Sequence, residues 1–264
     1  MKNLKEYIIE GIFDTDEDTV DKSIKDQIKQ FLKDNFADSS YKISDKPNTD
    51  GKFEVSSTGI VKVKNYKITS LTNGLFIWTN VKRDFICSNC NSLKSLEGAP
   101  KEVDRDFNCS WCESLISLEG APKKVGKDFN CSWCRSLKSL EGAPEKVGDS
   151  FDCEYCHSLI SLRGTPKEVG NFDCYRCVSL TSLEGAPEKV GGSFDCGYCN
   201  SLTSLKGAPK EVGSSFSCEY CNSLKSLEGA PKEVGRAFRC GDCGSKFTQE
   251  DVKKVSNVKG NIIV

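Results

Sequence analysis

Hydrophobic positions recur along most of the chain with a single period. From residue 85 to residue 246 the order Val-x-x-x-Phe-x-Cys-x-x-Cys-x-x-Leu-x-x-Leu returns at steps of 22 residues. The Cys-x-x-Cys pair occurs eight times, and only the step that leads to Cys174 is shorter, at 21 residues. A short fixed period predicts a solenoid, in which each unit buries the hydrophobic face of its neighbour.

Each repeat predicts one coil with a strand and a turn. The Phe-x-Cys alternation is typical of a short strand that directs Phe and the first Cys into the core. In the Gly-Ala-Pro segment, Gly207 permits a positive φ and Pro209 fixes φ where the coil needs no amide donor. The pair of charged residues, Lys or Glu, after each repeat proline indicates a solvated outer turn. We therefore expect a mainly β solenoid of about ten coils with α-helical caps.

The N-terminal segment, residues 1–40, departs from the repeat and predicts helices. Residues 1–13 have the spacing of a short amphipathic helix. Thr15 and Asp18 fit a capping box for a second helix that runs to about Phe36 and covers the open end of the solenoid. Its predicted apolar face consists of Val20, Ile24, Ile28, Phe31 and Leu32.

The segments next to the repeats predict degenerate coils. Residues 41–60 are expected to form a polar linker and a first strand, and residues 61–247 the solenoid. Its first coil, residues 61–84, lacks cysteines, and Val63 and Tyr66 are expected in the two cysteine positions. In the C-terminal cap, residues 248–264, Thr248 and Asp251 predict a capped helix to about residue 255, and Val264 falls at a first-cysteine position.

One column of the repeat is rich in aromatic residues. The residue before the second Cys is, in order, Asn89, Trp111, Trp133, Tyr155, Arg176, Tyr198, Tyr220 and Asp242. Acidic residues of a neighbouring column are Asp152, Asp173 and Asp195. On a leucine-rich-repeat template this is an outward-facing strand position on the concave face. Exposed aromatic residues at fixed spacing predict a binding surface, and the alternative is a ladder that only stabilises the sheet.

The cysteines have two main interpretations, and disulfides or a redox role are a third. Consecutive pairs match a zinc-binding spacing, whereas equivalent repeats and the valines at both ends favour a buried ladder of thiols that act as small apolar groups. We favour the thiol ladder and no cofactor, with zinc as the alternative. The cysteines are Cys87, Cys90, Cys109, Cys112, Cys131, Cys134, Cys153, Cys156, Cys174, Cys177, Cys196, Cys199, Cys218, Cys221, Cys240 and Cys243.

Composition restricts the function classes. The net charge of -1 gives no reason to expect a nucleic-acid partner. No apolar run approaches the ~20 residues of a membrane span, and the N-terminus lacks the features of a secretory signal, so we expect no membrane partner and reduced cysteines. His157 is the single histidine and its repeat position is variable, so we expect no enzyme and no catalytic residues.

The repeat is similar to the leucine-rich repeat. Phe takes the second leucine position, the first Cys the third, and the second Cys the Asn/Cys position. With its Ser-Leu-Thr-Ser-Leu-x-Gly-Ala-Pro-Lys-Glu-Val-Gly segment, the repeat resembles the leucine-rich-repeat-like proteins of large tailed bacteriophages and their hosts. This resemblance implies a solenoid that binds other molecules in the host cytoplasm.

The first eleven residues carry a second resemblance. They are similar to the capsid-targeting peptide of internal head proteins in T-even phages, which a prohead protease cuts after an Ile/Leu-x-Glu. The likeness implies a targeting peptide over residues 1–10, processing between Glu10 and Gly11, and packaging in the phage head. An ordinary amphipathic helix is the alternative.

These observations predict a phage-encoded, non-catalytic module that binds a host or virion protein, with a role in countering host defence. The alternatives are a packaged virion protein in which the solenoid is a rigid spacer, and a zinc-clipped module. The metal content of the purified chain separates the last alternative from the others.

Overall fold

The computed structural model describes residues 17–37 and 40–264. Two helices lie in this part, α1 (Glu17–Asn35) and α2 (Gln249–Val255). Neither combines the length and the apolar composition needed to cross a membrane. The helix predicted over residues 1–13, the Thr15 cap and the processing site at Glu10 and Gly11 lie outside the described residues.

The strands are short and follow the repeat. The first eleven are β1 (Phe36–Ala37), β2 (Tyr41–Ile43), β3 (Phe53–Ser57), β4 (Val61–Val63), β5 (Phe76–Val81), β6 (Phe85–Ile86), β7 (Glu102–Val103), β8 (Phe107–Asn108), β9 (Lys124–Val125), β10 (Phe129–Asn130) and β11 (Lys146–Val147). The others are β12 (Ser150–Asp152), β13 (Glu168–Val169), β14 (Asn171–Asp173), β15 (Lys189–Val190), β16 (Phe194–Asp195), β17 (Glu211–Val212), β18 (Phe216–Ser217), β19 (Glu233–Val234), β20 (Ala237–Arg239), β21 (Asn257–Val258) and β22 (Asn261–Ile263).

The Phe-x-Cys strands form one long parallel sheet, as the alternation predicts. Its order is β1-β4-β6-β8-β10-β12-β14-β16-β18-β20-β22, and only β1 runs antiparallel. Equivalent residues pair, so that Phe129 lies opposite Phe107 on one side and Phe151 on the other. Ten parallel strands at ~4.8 Å give a stack roughly 45 Å long. The predicted β-solenoid of about ten coils is confirmed.

A second row of strands lies where outer turns were predicted. The Glu or Lys before each repeat valine begins a two-residue strand, as in Glu102–Val103. This row is divided into a six-stranded and a five-stranded sheet, with the break between β11 and β13. The break coincides with the 21-residue coil, where the Gly170 N–H donates to the Asp149 carbonyl, whereas the Gly148 N–H donates to the Val125 carbonyl.

The core consists of columns of identical residues. The Phe, first Cys and Leu of successive repeats are buried, with side chains such as Phe151, Cys153 and Leu159 wholly inaccessible. Neighbouring Phe rings lie 5.0–5.5 Å apart between centroids along the column from Phe85 to Phe238. Each coil alone could not bury these side chains, so the stacking of coils supplies the hydrophobic stabilisation.

The N-terminal end of the stack is covered. Ile24, Ile28 and Leu32 of α1 are buried in the core, which confirms the predicted face and end of this helix. Residues 41–60 were expected to begin with a polar linker, and this is wrong at β2, which pairs antiparallel with β3. Tyr41 and Ile43 alternate along this strand and pack against the core, a signal that the polar residues around them obscured.

The first coil has no cysteines, and one of its two predicted substitutions is wrong. The register of β4 with β6 places Val63 opposite Cys87, and Val63 is buried as predicted. Tyr66, however, is 51% exposed.

By its backbone hydrogen bond Asn65 aligns with the second-cysteine position instead of Tyr66, although its side chain is exposed. The Ile68 N–H donates to the Asn65 carbonyl at 3.0 Å, as the Leu93 N–H donates to the Cys90 carbonyl. This coil is therefore one residue shorter than the repeat before Asn65, whereas the alignment of Tyr66 with a cysteine requires the missing residue to follow Tyr66. Asn65 Nδ2 donates to Asn35 Oδ1 at 2.8 Å, which ties the coil to the end of α1.

The C-terminal cap follows the prediction. Thr248 and Asp251 form a capping box, and α2 ends at Val255. Strand β22 pairs with β20 so that Ile262 lies opposite Phe238, which places Val264 opposite a first cysteine. Val264 is 49% exposed.

Candidate functional site

The residue before the second Cys lies in a left-handed turn in all eight repeats. Its φ angle ranges from 52° to 62°, although none of these residues is glycine. The prediction that this residue lies within a strand is therefore wrong, because the strand ends before the first Cys. The left-handed residue turns the chain between the two cysteines, so that both thiols enter the core.

Hydrogen bonds between coils hold this backbone in place. The Trp111 N–H donates to the Ser132 carbonyl at 2.9 Å, and the Trp133 N–H donates to the Glu154 carbonyl at 2.8 Å. The same bond recurs from Tyr155 to the carbonyl of Tyr175 in the next coil. Each aromatic side chain thus projects from a fixed turn at the same height in its coil.

The aromatic rings stack along the solenoid. Trp111 and Trp133 lie 4.2 Å apart between ring centroids, and Trp133 and Tyr155 lie 4.0 Å apart, with interplanar angles of 6° and 9°. At the other end Tyr198 and Tyr220 stack at 4.4 Å. The outer rings, Trp111 and Tyr220, are each 39% exposed.

Tyr175, which sequence reasoning missed, joins the two stacks. Its ring lies edge-on to Tyr155 at 5.7 Å and to Tyr198 at 5.2 Å. The Arg176 guanidinium lies 4.8 Å from the Tyr198 centroid and within 5.6 Å of the other two rings. We call Trp111, Trp133, Tyr155, Tyr175, Tyr198 and Tyr220 the aromatic ladder.

The signal for Tyr175 was present in the sequence. In the 21-residue coil the aromatic residue directly follows the first Cys, and Arg176 occupies the left-handed position. The next coil has Gly197 at the position of Tyr175, and a Cβ there would lie 3.3 Å from Tyr175 Cδ2. Gly197 thus leaves room for the ring.

Asp152, Asp173 and Asp195 lie in one column beside the aromatic ladder, and we call them the acidic row. They are paired in register on β12, β14 and β16. Each Oδ1 accepts the N–H of the residue two positions later, at 3.0, 2.8 and 2.7 Å respectively. Asn108 and Asn130 accept the same bond in earlier coils, so the turn does not require a charge.

The acidic row carries uncompensated charge. Burial, followed by repulsion from neighbouring carboxylates, raises the pKa of Asp152 to about 6 and that of Asp173 to about 7. Burial also raises the pKa of Asp195, with Arg239 acting in the opposite direction. Within residues 17–37 and 40–264, no lysine or arginine forms an ion pair with any of the three.

The second cysteine of each pair serves as a hydrogen-bond donor to the preceding coil. The Cys112 thiol donates to the Cys87 carbonyl at 3.2 Å, and the Cys156 thiol donates to the Cys131 carbonyl at the same distance. Equivalent bonds join every consecutive pair of Cys-x-x-Cys coils. Burial raises the pKa of Cys177 to about 12, which keeps the thiol protonated as the donor requires.

This geometry favours the thiol ladder over the zinc site. In the part of the chain that the structure describes, no group of three or more His, Cys, Asp or Glu side chains is placed to hold a metal ion. The thiols lie in two continuous columns and are not gathered in sets of four, which tetrahedral zinc would require.

Comparisons of the chain with protein-family models, with curated proteins and with solved structures give no match. The described architecture is a β-solenoid of 22-residue repeats with regularly spaced cysteines. Its function therefore has to be inferred from the aromatic ladder and the acidic row.

Proposed function

We propose that the protein is a non-catalytic module that binds a protein partner through the aromatic ladder. The observation that carries this proposal is a continuous stripe of six rings, fixed in position by the turns and partly open to solvent. Rigid aromatic side chains provide much of the affinity at protein interfaces. The adjacent carboxylates would repel phosphates, so a protein partner is favoured over nucleic acid.

The conformation of the aromatic ladder supports a role beyond stabilisation of the sheet. A left-handed residue with a Cβ costs ~1–2 kcal/mol, whereas a stacked aromatic pair contributes ~0.5–1.5 kcal/mol beyond its burial. Because these terms are similar, stacking gives an aromatic residue little advantage over asparagine, which tolerates the conformation and occupies it at Asn89. A binding role supplies the further reason for keeping the rings.

The source of the partner is proposed from the resemblance of the repeat. Its likeness to the leucine-rich-repeat-like proteins of large tailed bacteriophages supports a phage-encoded protein that acts in the host cytoplasm. The partner is then a host or virion protein, and a component of host defence is one such target.

A packaged virion protein, with the solenoid as a rigid spacer, is the second candidate. The likeness of residues 1–11 to a capsid-targeting peptide favours it, and the chain is then cut between Glu10 and Gly11. Peptide mass spectrometry of virions tests this candidate. A peptide that begins at Gly11 supports packaging, whereas an intact N-terminus found only in infected cells contradicts it.

The binding proposal is tested with a variant that removes rings and keeps the turns. The ladder variant carries Trp133→Asn, Tyr155→Asn and Tyr198→Asn, because asparagine tolerates the left-handed backbone. The purified chain is cross-linked in extracts of the host, and the captured partner is identified, purified and titrated against each variant by calorimetry. Thermal unfolding confirms that the variants are folded.

The control is an outer-face variant with Lys124→Ala, Lys146→Ala and Lys189→Ala, three exposed residues of the outer strands. We expect the partner to bind this variant like the unmodified chain, and the ladder variant at least about tenfold more weakly. Equal affinity for all three proteins, or no partner that binds the unmodified chain, contradicts the proposal.

A further inference from the structure

The acidic row is the feature of the surface that the proposed function leaves unexplained. Asp152, Asp173 and Asp195 lie on neighbouring strands, about 5 Å apart in the sheet, and share a polar but partly buried environment. Carboxylates in this arrangement repel one another, and burial adds a desolvation cost for each charge. The fold gains nothing from the charges, because Asn108 and Asn130 make the same turn.

The residues of this chain that surround the acidic row provide little positive charge. Asp152 faces Asp128, Glu154 and the Asn130 amide, which donates to Asp152 Oδ2 at 3.0 Å. Asp173 faces both other carboxylates of the row and Glu154.

At the other end, Asp195 faces the Ser217 hydroxyl and the more remote Arg239. A surface that concentrates one sign of charge beside exposed rings is complementary to a partner of the opposite sign.

We infer that the partner presents a basic, extended segment, whose lysine and arginine side chains lie along the acidic row while their aliphatic stems cover the edges of the aromatic ladder. This inference rests on the proposed function, because the ladder is the surface on which the segment lies. Long basic side chains combine an apolar stem with a charged end, and so match two adjacent stripes of different polarity.

Because the rings are stacked, the carboxylates, and not the ring faces, are the groups that attract the basic side chains of the partner. The faces of Trp133 are covered by Trp111 and Tyr155, and the Arg135 guanidinium already lies 5.2 Å from the centroid of this ring, so little of the ring face is left for cations of the partner. Arg176 already lies over the rings at the centre of the ladder. The basic ends of the segment therefore pair with the acidic row, and the ladder supplies apolar contact.

The inference predicts a pH dependence of binding. A basic segment binds the ionised carboxylates, whose pKa values are raised to about 6 at Asp152 and about 7 at Asp173. Lowering the pH from 8 to 6 protonates these groups in the free protein, and binding then has to displace the protons. The affinity should therefore fall with pH over this range, and should also fall with added salt.

The experiment is the selection of peptides from a random displayed library against the full chain. The ladder variant serves for counter-selection, so that only sequences that require the rings are kept. A selected peptide is then titrated by fluorescence anisotropy against the unmodified chain and against a row variant. The row variant carries Asp152→Asn, Asp173→Asn and Asp195→Asn, which reproduce the residue type already present in this column at Asn130.

We expect the selected peptides to be enriched in lysine and arginine, and to bind the row variant at least about tenfold more weakly. Affinity for the unmodified chain should fall severalfold from pH 8 to pH 6, and the row variant should lose this dependence. Selected peptides without basic residues, or with unchanged affinity for the row variant, overturn the inference and leave the proposed function standing. If no sequence is enriched over the ladder variant, the inference and the proposed function both fail.

Discussion

At the scale of the residue, the second cysteine of each pair does more than fill space. Its thiol donates to a backbone carbonyl of the preceding coil in seven successive coils. In the first coil Asn65 aligns with this position, but it is exposed and donates to the Asn35 side chain instead. The recurrence of this bond indicates that the position requires a hydrogen-bond donor as well as a small side chain.

This donor role predicts an order among substitutions of Cys156. Cys156→Ala removes both the donor and the sulfur from a fully buried site, and should lower the free energy of unfolding by ~1–3 kcal/mol. Cys156→Ser keeps a donor to the Cys131 carbonyl and should lose less. Urea denaturation measures both values.

An alanine variant as stable as the serine variant would show that the thiol only fills space. Zinc analysis of chain purified without chelator is the accompanying control, since the alternative of a zinc-clipped module requires about four tightly held ions per chain.

The acidic row predicts a stability change with pH. The folded-state pKa of Asp173, about 7, lies above the ordinary value of ~3.9, so the folded state holds a proton that the unfolded state releases. The resulting stabilisation is present below pH ~4 and is lost as the pH rises through about 7. Between pH 5 and pH 8, Asp173→Asn should therefore gain on the order of 2 kcal/mol relative to the unmodified chain.

Urea denaturation of both proteins at the two pH values measures this gain. Burial and nearby arginines lower the pKa of His157, so its contribution to the free energy of unfolding changes with pH in the opposite direction. This contribution is the same in both proteins and cancels in the comparison. A pH-independent difference between the two proteins would contradict the assignment.

At the scale of the element, the outer turns are packed as closely as a backbone allows. A Cβ on Gly213 would lie 2.0 Å from the Gly191 carbonyl oxygen, and the same contact recurs between Gly148 and Gly126. At Gly191 the nearest atom would be the Val169 oxygen at 3.8 Å. The 21-residue coil is the cause, because its missing residue shifts this turn and interrupts the outer sheet.

Two substitutions at equivalent positions test this difference. Gly213→Ala should lower the free energy of unfolding by about 3 kcal/mol, because the methyl group collides with rigid backbone. Gly191→Ala, the matched control, should change it by less than about 0.5 kcal/mol. Thermal and urea unfolding of both variants provide the measurement, and equal effects would argue against an outer sheet packed in this way.

At the scale of the whole molecule, stability comes from contacts between neighbouring coils. Each coil packs on the one before and the one after it, as expected for a solenoid. Helix α1 covers the N-terminal end with Ile28 and Leu32. At the other end β22 lies on the last cysteine coil, and Cys243 is the one cysteine that is not buried.

This arrangement predicts the reactivity of the sixteen thiols. In the folded protein about one thiol per chain, that of Cys243, should react rapidly with Ellman's reagent, since the fifteen others are buried. The remaining thiols should react only as the stack unfolds in denaturant. Cys243→Ser should remove the rapid phase, and several rapid thiols in the folded chain would contradict the buried ladder.

The period of 22 residues by itself determined the solenoid, the Phe, Cys and Leu columns, and the register of the C-terminal strand at Val264. These features follow from sequence because identical residues in identical coils must face identical neighbours. The spacing of Ile24, Ile28 and Leu32 likewise determined the buried face of α1. The first coil lacks one residue of the repeat, so the sequence did not determine which of its residues aligns with the second cysteine. The backbone hydrogen bond from Ile68 and the contact with Asn35 align Asn65 with that position.

The proposed binding surface depended on the tertiary structure. The left-handed turn arises because both thiols of a pair must reach the core, a requirement that exists only when the coils stack. Tyr175 enters the aromatic ladder because a shortened coil and Gly197 of the next coil make room for its ring. Sequence alone determined which residues recur, whereas contacts between different coils decided which side chains meet, because those contacts join residues that no local pattern connects.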